Sequence, residues 1–247
     1  MEPTQYVQHH ITSGYITISS DDDQIPAFWA HPVYGGTFPG VVAIHGVHGV
    51  NPQIRARVRR LAEIGYYVIA PDLYLGRTAP LNQEQALALL RDEGISRVNA
   101  ALDVLHTHNR FAGKMGVIGW GAGGELAFQA ALARFDLDTA VVFGGRPDRY
   151  IERMEGDKTA ILAFYGDADP DVLPTTLHRM WQALSQSPAE WQIIVYPEVT
   201  NAFKDESSPN YHPYYAADAW NRSMEFMDRL LTPPKVAATT SKRATRY

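Results

Sequence analysis

The 247-residue sequence predicts one α/β domain, with a mainly parallel central sheet, an antiparallel N-terminal edge and helices on both faces. Three observations carry this. Short apolar runs rich in β-branched residues alternate with amphipathic stretches of helical period along most of the chain. Two strand-like segments come first with no helix between them. No Pro/Gly linker and no internal repeat divides the sequence, so residues 1–231 read as a single domain.

In order, the strand candidates are Tyr15–Ser19, Pro26–Ala30, Val41–His45, Tyr67–Ala70, Met115–Gly119, Ala140–Gly144, Ala160–Tyr165 and Gln192–Tyr196. The helix candidates are Gln53–Gly65, Asn82–Glu93, Ser96–His106, Glu125–Arg134, Thr175–Ser185 and Ala216–Leu231. Ile54, Val58, Leu61 and Ala62 form the core-facing stripe of the first helix, and Trp220, Met224, Met227 and Leu231 that of the last. Arg55, Arg57, Arg59 and Arg60 cluster on the first helix and read as a solvated face.

Composition removes several functional classes. Hydrophobic residues make up 45% and charged residues 20%, as in soluble domains. Apolar runs are too short to span a bilayer, and Met1–Gln8 has no apolar signal region, so a cytoplasmic protein without a membrane partner is expected. The absence of cysteine rules out disulfides, thiolate metal sites and a cysteine nucleophile. A net charge of −5 argues against nucleic acid as a partner. Residues 232–247 hold four basic residues and no acid, and read as a disordered basic tail. A monomer or small homo-oligomer is expected.

The informative segment is Met115-Gly116-Val117-Ile118-Gly119-Trp120-Gly121-Ala122-Gly123-Gly124-Glu125, where a strand enters a glycine cluster and then a helix. Gly119, Gly121 and Gly124 satisfy the spacing G-x-G-x-x-G, but the turn comes late in the chain and no acid closes the next strand. A dinucleotide is therefore not expected, and no cofactor is implied. The other device of this shape is the nucleophile elbow, G-x-Nu-x-G, whose frame is Gly119-Trp120-Gly121-Ala122-Gly123, with a glycine at its centre.

Several segments together carry a resemblance. They are Phe38–Asn51 with His45-Gly46-Val47-His48-Gly49, Leu61–Tyr74 ending Ala70-Pro71-Asp72-Leu73-Tyr74, and the glycine turn Gly119–Gly124. To these are added Tyr165-Gly166-Asp167-Ala168-Asp169-Pro170, Tyr196-Pro197 through Ala202-Phe203, and Tyr214–Trp220. In order and spacing they resemble the dienelactone hydrolase family of the α/β-hydrolase fold, over nearly the whole chain apart from its tail. The resemblance implies that the family's nucleophile position falls at Gly121, its triad acid at Asp169 and its histidine at Asn201. An acid that some members carry after the third strand falls near Gly46, and a substrate-holding arginine at Arg77.

Acyl transfer needs a nucleophile and a base in contact, and neither glycine nor an asparagine amide can serve. Two readings follow. In one, the protein binds a small molecule in the former active site, lined by Gly46, His48, Arg77, Trp120, Gly121, Ala122 and Asn201, without the family chemistry. In the other, it is a hydrolase or lyase of altered mechanism in which His45 or His48, with Asp169, activates water. Against a catalytic His45 stands the plainer alternative of a lining residue satisfied by backbone, and no metal is expected.

Overall fold

The computed structural model describes residues 8–20, 23–77 and 82–232. The basic tail expected beyond residue 232 lies outside them. Eight strands form one sheet: β1 Ile11–Ser19, β2 Gln24–Pro32, β3 Phe38–Ile44, β4 Tyr67–Pro71, β5 Phe111–Trp120, β6 Thr139–Phe143, β7 Ala160–Gly166 and β8 Trp191–Tyr196. Their order is β1-β2-β4-β3-β5-β6-β7-β8. β1 and β2 are antiparallel to each other, β2 is antiparallel to β4, and all later pairs are parallel. This is the fold class expected from the sequence, with its antiparallel N-terminal edge.

Among the described residues, five α-helices cover the sheet: α1 Pro52–Ile64, α2 Gln83–Thr107, α3 Ala122–Ala133, α4 Pro174–Leu184 and α5 Pro213–Leu231. Inward side chains of β3 to β7 alternate between two cores, as the period of two in a strand requires. One core gathers Val42, Val117 and Val142 with Leu102, Ala127 and Met180. The other gathers Val41, Ile118 and Val141 with Val58, Leu61, Trp220 and Met227. The central strands are therefore apolar on both faces, which explains why they read as continuous runs.

α1 starts where Asn51 accepts the Ile54 amide at 3.0 Å and Pro52 supplies a pre-set φ. α5 starts at Pro213, three residues before the expected Ala216, because the His212 ring accepts the Tyr215 amide at 3.3 Å. The two helices expected over 82–93 and 96–106 are one helix of 25 residues. Gly94 does not end it. A Cβ at Gly94 would stand 2.8 Å from Leu126 Cδ1, so the glycine marks the crossing of α2 over α3.

One buried cation ties the antiparallel edge to the parallel body. Arg97 of α2 is 3% exposed and donates to Asp23 Oδ2 at 2.7 Å and to the Leu73 carbonyl at 2.6 Å, with Glu93 as a third partner. Arg97→Met should cost about 3 kcal/mol, because it strands a carbonyl and a carboxylate. Arg229→Ala, which removes an exposed pair with Glu190, should cost no more than about 1 kcal/mol. Urea denaturation of both variants measures the difference, and equal losses would refute the clamp.

Candidate functional site

The parallel strands deliver their C-terminal ends to one edge of the sheet, where crevices form in such folds. Here the loop after β3, the turn after β5 and the segments after β6, β7 and β8 enclose a cavity of about 660 Å³. Gly46, His48, Trp120, Gly121, Ala122, Asp169 and Asn201 all line it. Of the expected site residues, His45 and Arg77 are not among the lining residues. Arg77 is exposed on the loop after β4.

The turn between β5 and α3 dictates the floor. Gly121 has φ 59° and ψ −121°, a conformation that strains any L-residue. Its neighbours are glycines for another reason. A Cβ at Gly119 would lie 2.2 Å from the Gly123 carbonyl, one at Gly123 2.3 Å from the Ile44 carbonyl, and one at Gly124 2.1 Å from the Gly144 carbonyl. Those three are excluded by backbone atoms. At Gly121 no atom stands within 4 Å of the Cβ position, so the space above it is open to the cavity. Gly46 is also held by contact, since a Cβ there would lie 2.8 Å from the Trp120 carbonyl. No acidic side chain fits at 46 without movement of the turn.

His45 is fully buried behind the wall. Its Nδ1 lies 2.7 Å from the Gly46 carbonyl, and its Nε2 accepts the Leu73 amide at 2.9 Å. These partners select the neutral tautomer with the proton on Nδ1. Burial pushes its pKa below the ordinary value, against the opposing pull of the Gly46 carbonyl and Asp72. Neither nitrogen is left for water, so the expectation that His45 acts as an acid–base group is corrected: it splices the end of β3 to the loop after β4. His48 is exposed at the cavity rim.

Asp169 is 6% exposed at the end of β7, and one carboxylate oxygen accepts the Asp171 amide at 3.0 Å. Asn201 opens a 3-10 turn, Asn201–Lys204, after β8. Its Oδ1 lies over Gly144, only 2.0 Å from where a Cβ would be, so the glycine at the end of β6 admits it. The same Oδ1 and the Asn201 carbonyl both accept from Lys204 Nζ. Lys204 lines the cavity, and burial, with Arg57 as a second cause, pulls its pKa down to about 7.

The site includes residues that sequence reasoning missed. Arg57 donates to the Lys204 carbonyl at 2.9 Å and stands 4.8 Å over the Trp120 ring, and burial lowers its pKa. Arg59 and Arg60 stack in the same way on Phe28 and Trp220. The arginine-rich face of α1 is thus spread over aromatic rings rather than merely solvated. Glu125 of α3, 3.7 Å from Arg91, adds a buried carboxylate to the lining. Arg146, Asp171 and Asp205 complete a lining with both signs of charge. A weak signal for Arg57 was available in the sequence, since it lies one position before the core residue Val58. Lys204 had none beyond its place two residues after Ala202. Among the described residues, no group of three or more His, Asp or Glu could hold a metal ion, and no helix is long and apolar enough to cross a membrane.

Comparison with known proteins agrees with this architecture. A sequence profile of the dienelactone hydrolase family matches residues 25–231. A candidate carboxymethylenebutenolidase from Yersinia pestis is 30% identical over 244 residues, covering 88% of each chain. One from Escherichia coli K12 is 31% identical over 236 residues, covering 87% of this chain and 86% of the other. The crystal structure of a candidate dienelactone hydrolase from Klebsiella pneumoniae superposes with a TM-score of 0.80 at 28% identity, covering 90% of this chain and all of that one.

The neutral burial of His45 has a measurable consequence. Its folded pKa lies below the unfolded value, so folding is favoured fully above pH 6.5 and loses stability as pH falls below it. The slope is at most about 1.4 kcal/mol per pH unit for one proton. His108, also lowered by burial, adds in the same direction. Chemical denaturation between pH 5 and 8 should show this acid limb reduced in His45→Asn. An equal acid limb in wild type and variant would refute the assignment.

Proposed function

The chain belongs to the dienelactone hydrolase family, and from that premise we propose that it binds a small polar molecule in the family's pocket without forming an acyl-enzyme. The observation that carries this reading is Gly121, which holds the strained elbow with open cavity where a nucleophilic side chain would stand. Three further observations support it. Thr200 is the one hydroxyl-bearing residue among the lining residues, and its Oγ1 already accepts the Ala202 amide at 3.3 Å. Asn201, at the position the resemblance gives to the family's histidine, takes up no proton at neutral pH and spends its carbonyl oxygen on Lys204. His45 has no free nitrogen.

The lining also fits a polar ligand. Arg57, Arg91, Arg146 and Lys204 line a cavity of small-molecule size together with Glu125, Asp169, Asp171 and Asp205. The N-terminus of α3 has no side-chain cap, and its first residue, Ala122, lines the cavity. The names of the relatives describe lactone-hydrolysing candidates. A lactone-like ligand would be held here through its polar atoms rather than opened by covalent attack.

The test is covalent labelling of the full chain with a fluorophosphonate and with p-nitrophenyl acetate, read by intact mass and peptide mapping before and after hydroxylamine, which removes an ester and leaves an amide on a lysine. The expected result is no stoichiometric ester on any serine, threonine or tyrosine. One acyl or phosphonyl group per chain on a hydroxyl at the cavity would overturn the proposal.

A further inference from the structure

Lys204 is the one lysine among the cavity-lining residues, in a sequence with only five. Its surroundings are unusual for an ammonium group. Its Nζ has two neutral acceptors, the carbonyl and the side-chain Oδ1 of Asn201, and no carboxylate oxygen within 4 Å among the described residues. Arg57 of α1 lies against the same turn, its guanidinium bonded to the Lys204 carbonyl at 2.9 Å. Asp169 after β7 and Asp205 on the following loop pull the other way from farther off, and Asp205 is itself engaged by Gln53 at 2.9 Å. An amine so placed carries two hydrogens to two acceptors when it is neutral. The position left over is its lone pair.

We propose that Lys204 is a nucleophilic amine of this pocket, which captures the carbonyl group of an aldehyde or ketone as a reversible imine. The proposal rests on the small-molecule reading of the cavity and gives that ligand a chemical class. Three features of the geometry serve it. Gly121 leaves space in the cavity that a larger residue would occupy. The Asn201 oxygens hold the amine hydrogens without adding negative charge, and so do not stabilise the ammonium as a carboxylate would. Burial and the nearby Arg57 bring the amine to a pKa of about 7, well below that of an ordinary lysine, which makes its neutral form accessible at neutral pH.

The step balances without a further reagent. The Nζ lone pair attacks the carbonyl carbon, the carbon–oxygen π pair moves to oxygen, and a proton passes from nitrogen to that oxygen to give a carbinolamine. The carbon–oxygen bond then breaks as nitrogen forms the C=N bond. Both amine hydrogens leave with the oxygen as water.

Benzaldehyde with sodium cyanoborohydride tests this on the full chain, since reduction of the imine makes the adduct permanent. Benzyl alcohol, which cannot form an imine, reports occupancy of the pocket through tryptophan fluorescence that Trp120→Phe removes. The expected result is one benzyl group per chain, mapped to Lys204, with a rate half-maximal near pH 7 and absent in Lys204→Arg and Lys204→Met. Labelling spread over Lys114 and Lys158 that keeps rising above pH 9 would overturn the proposal. So would benzyl alcohol binding with no adduct at Lys204, which leaves the small-molecule reading intact. Failure of both benzyl alcohol binding and labelling would overturn the two together.

Discussion

The contact on which this structure depends is the approach of α3 to the sheet without intervening side chains. Gly123 and Gly124 bring the helix start against the carbonyls at the ends of β3 and β6, and Gly119 lies against the Gly123 carbonyl, all at distances that leave no room for a methyl group. The turn at Gly121 then has to reverse within one residue of left-handed backbone. The sheet edge is set by these contacts, and the loops after β3, β6, β7 and β8 are hung around it. Four glycines that look alike in sequence therefore answer to two constraints. Three are imposed by neighbouring backbone, whereas Gly121 is imposed only by its own dihedral angles. Its side chain could be added at the cost of local strain, roughly 1 kcal/mol or more.

That distinction shapes the chemistry of the cavity. Where the elbow offers no side chain, the polar groups around it are coupled to one another. Lys204 holds the two oxygens of Asn201, Arg57 holds the Lys204 carbonyl and covers Trp120, and Asp169 keeps one oxygen on the Asp171 amide. The result is a half-buried amine and a buried carboxylate in one crevice, with no imidazole linking them. His45, the most suggestive histidine in the sequence, serves instead as a neutral splice between two strand ends.

Most of the fold could be read from the chain because its strands are apolar on both faces and its helices carry clean stripes. Val41, Val42, Ile118 and Val141 announce a sheet covered twice, and Trp220 to Leu231 announces a helix that covers it. The sequence reading split one helix in two around Gly94, where Leu126 lies against α2 and a glycine is needed for close packing. The cavity was legible through Gly121, Asp169 and Asn201, each near a strand end. Lys204 and Arg57 were not, because their role comes from tertiary contacts between α1 and the turn after β8. No period or spacing records such a contact. The same reason hid the saturation of both His45 nitrogens.

The central proposal is that this pocket keeps the elbow of its family and lacks the family's nucleophile and histidine. Esterase turnover by the double variant Gly121→Ser, Asn201→His tests it most directly. Gly121 offers the space for the hydroxyl, and Asp169 stands in the same cavity to orient the imidazole. The account predicts measurable turnover of p-nitrophenyl acetate by the folded double variant, with neither single variant rising above the wild type, because nucleophile and base act as a unit. A folded double variant with no turnover and no acylation would contradict it, and would mean that the pocket has been rebuilt beyond the two positions.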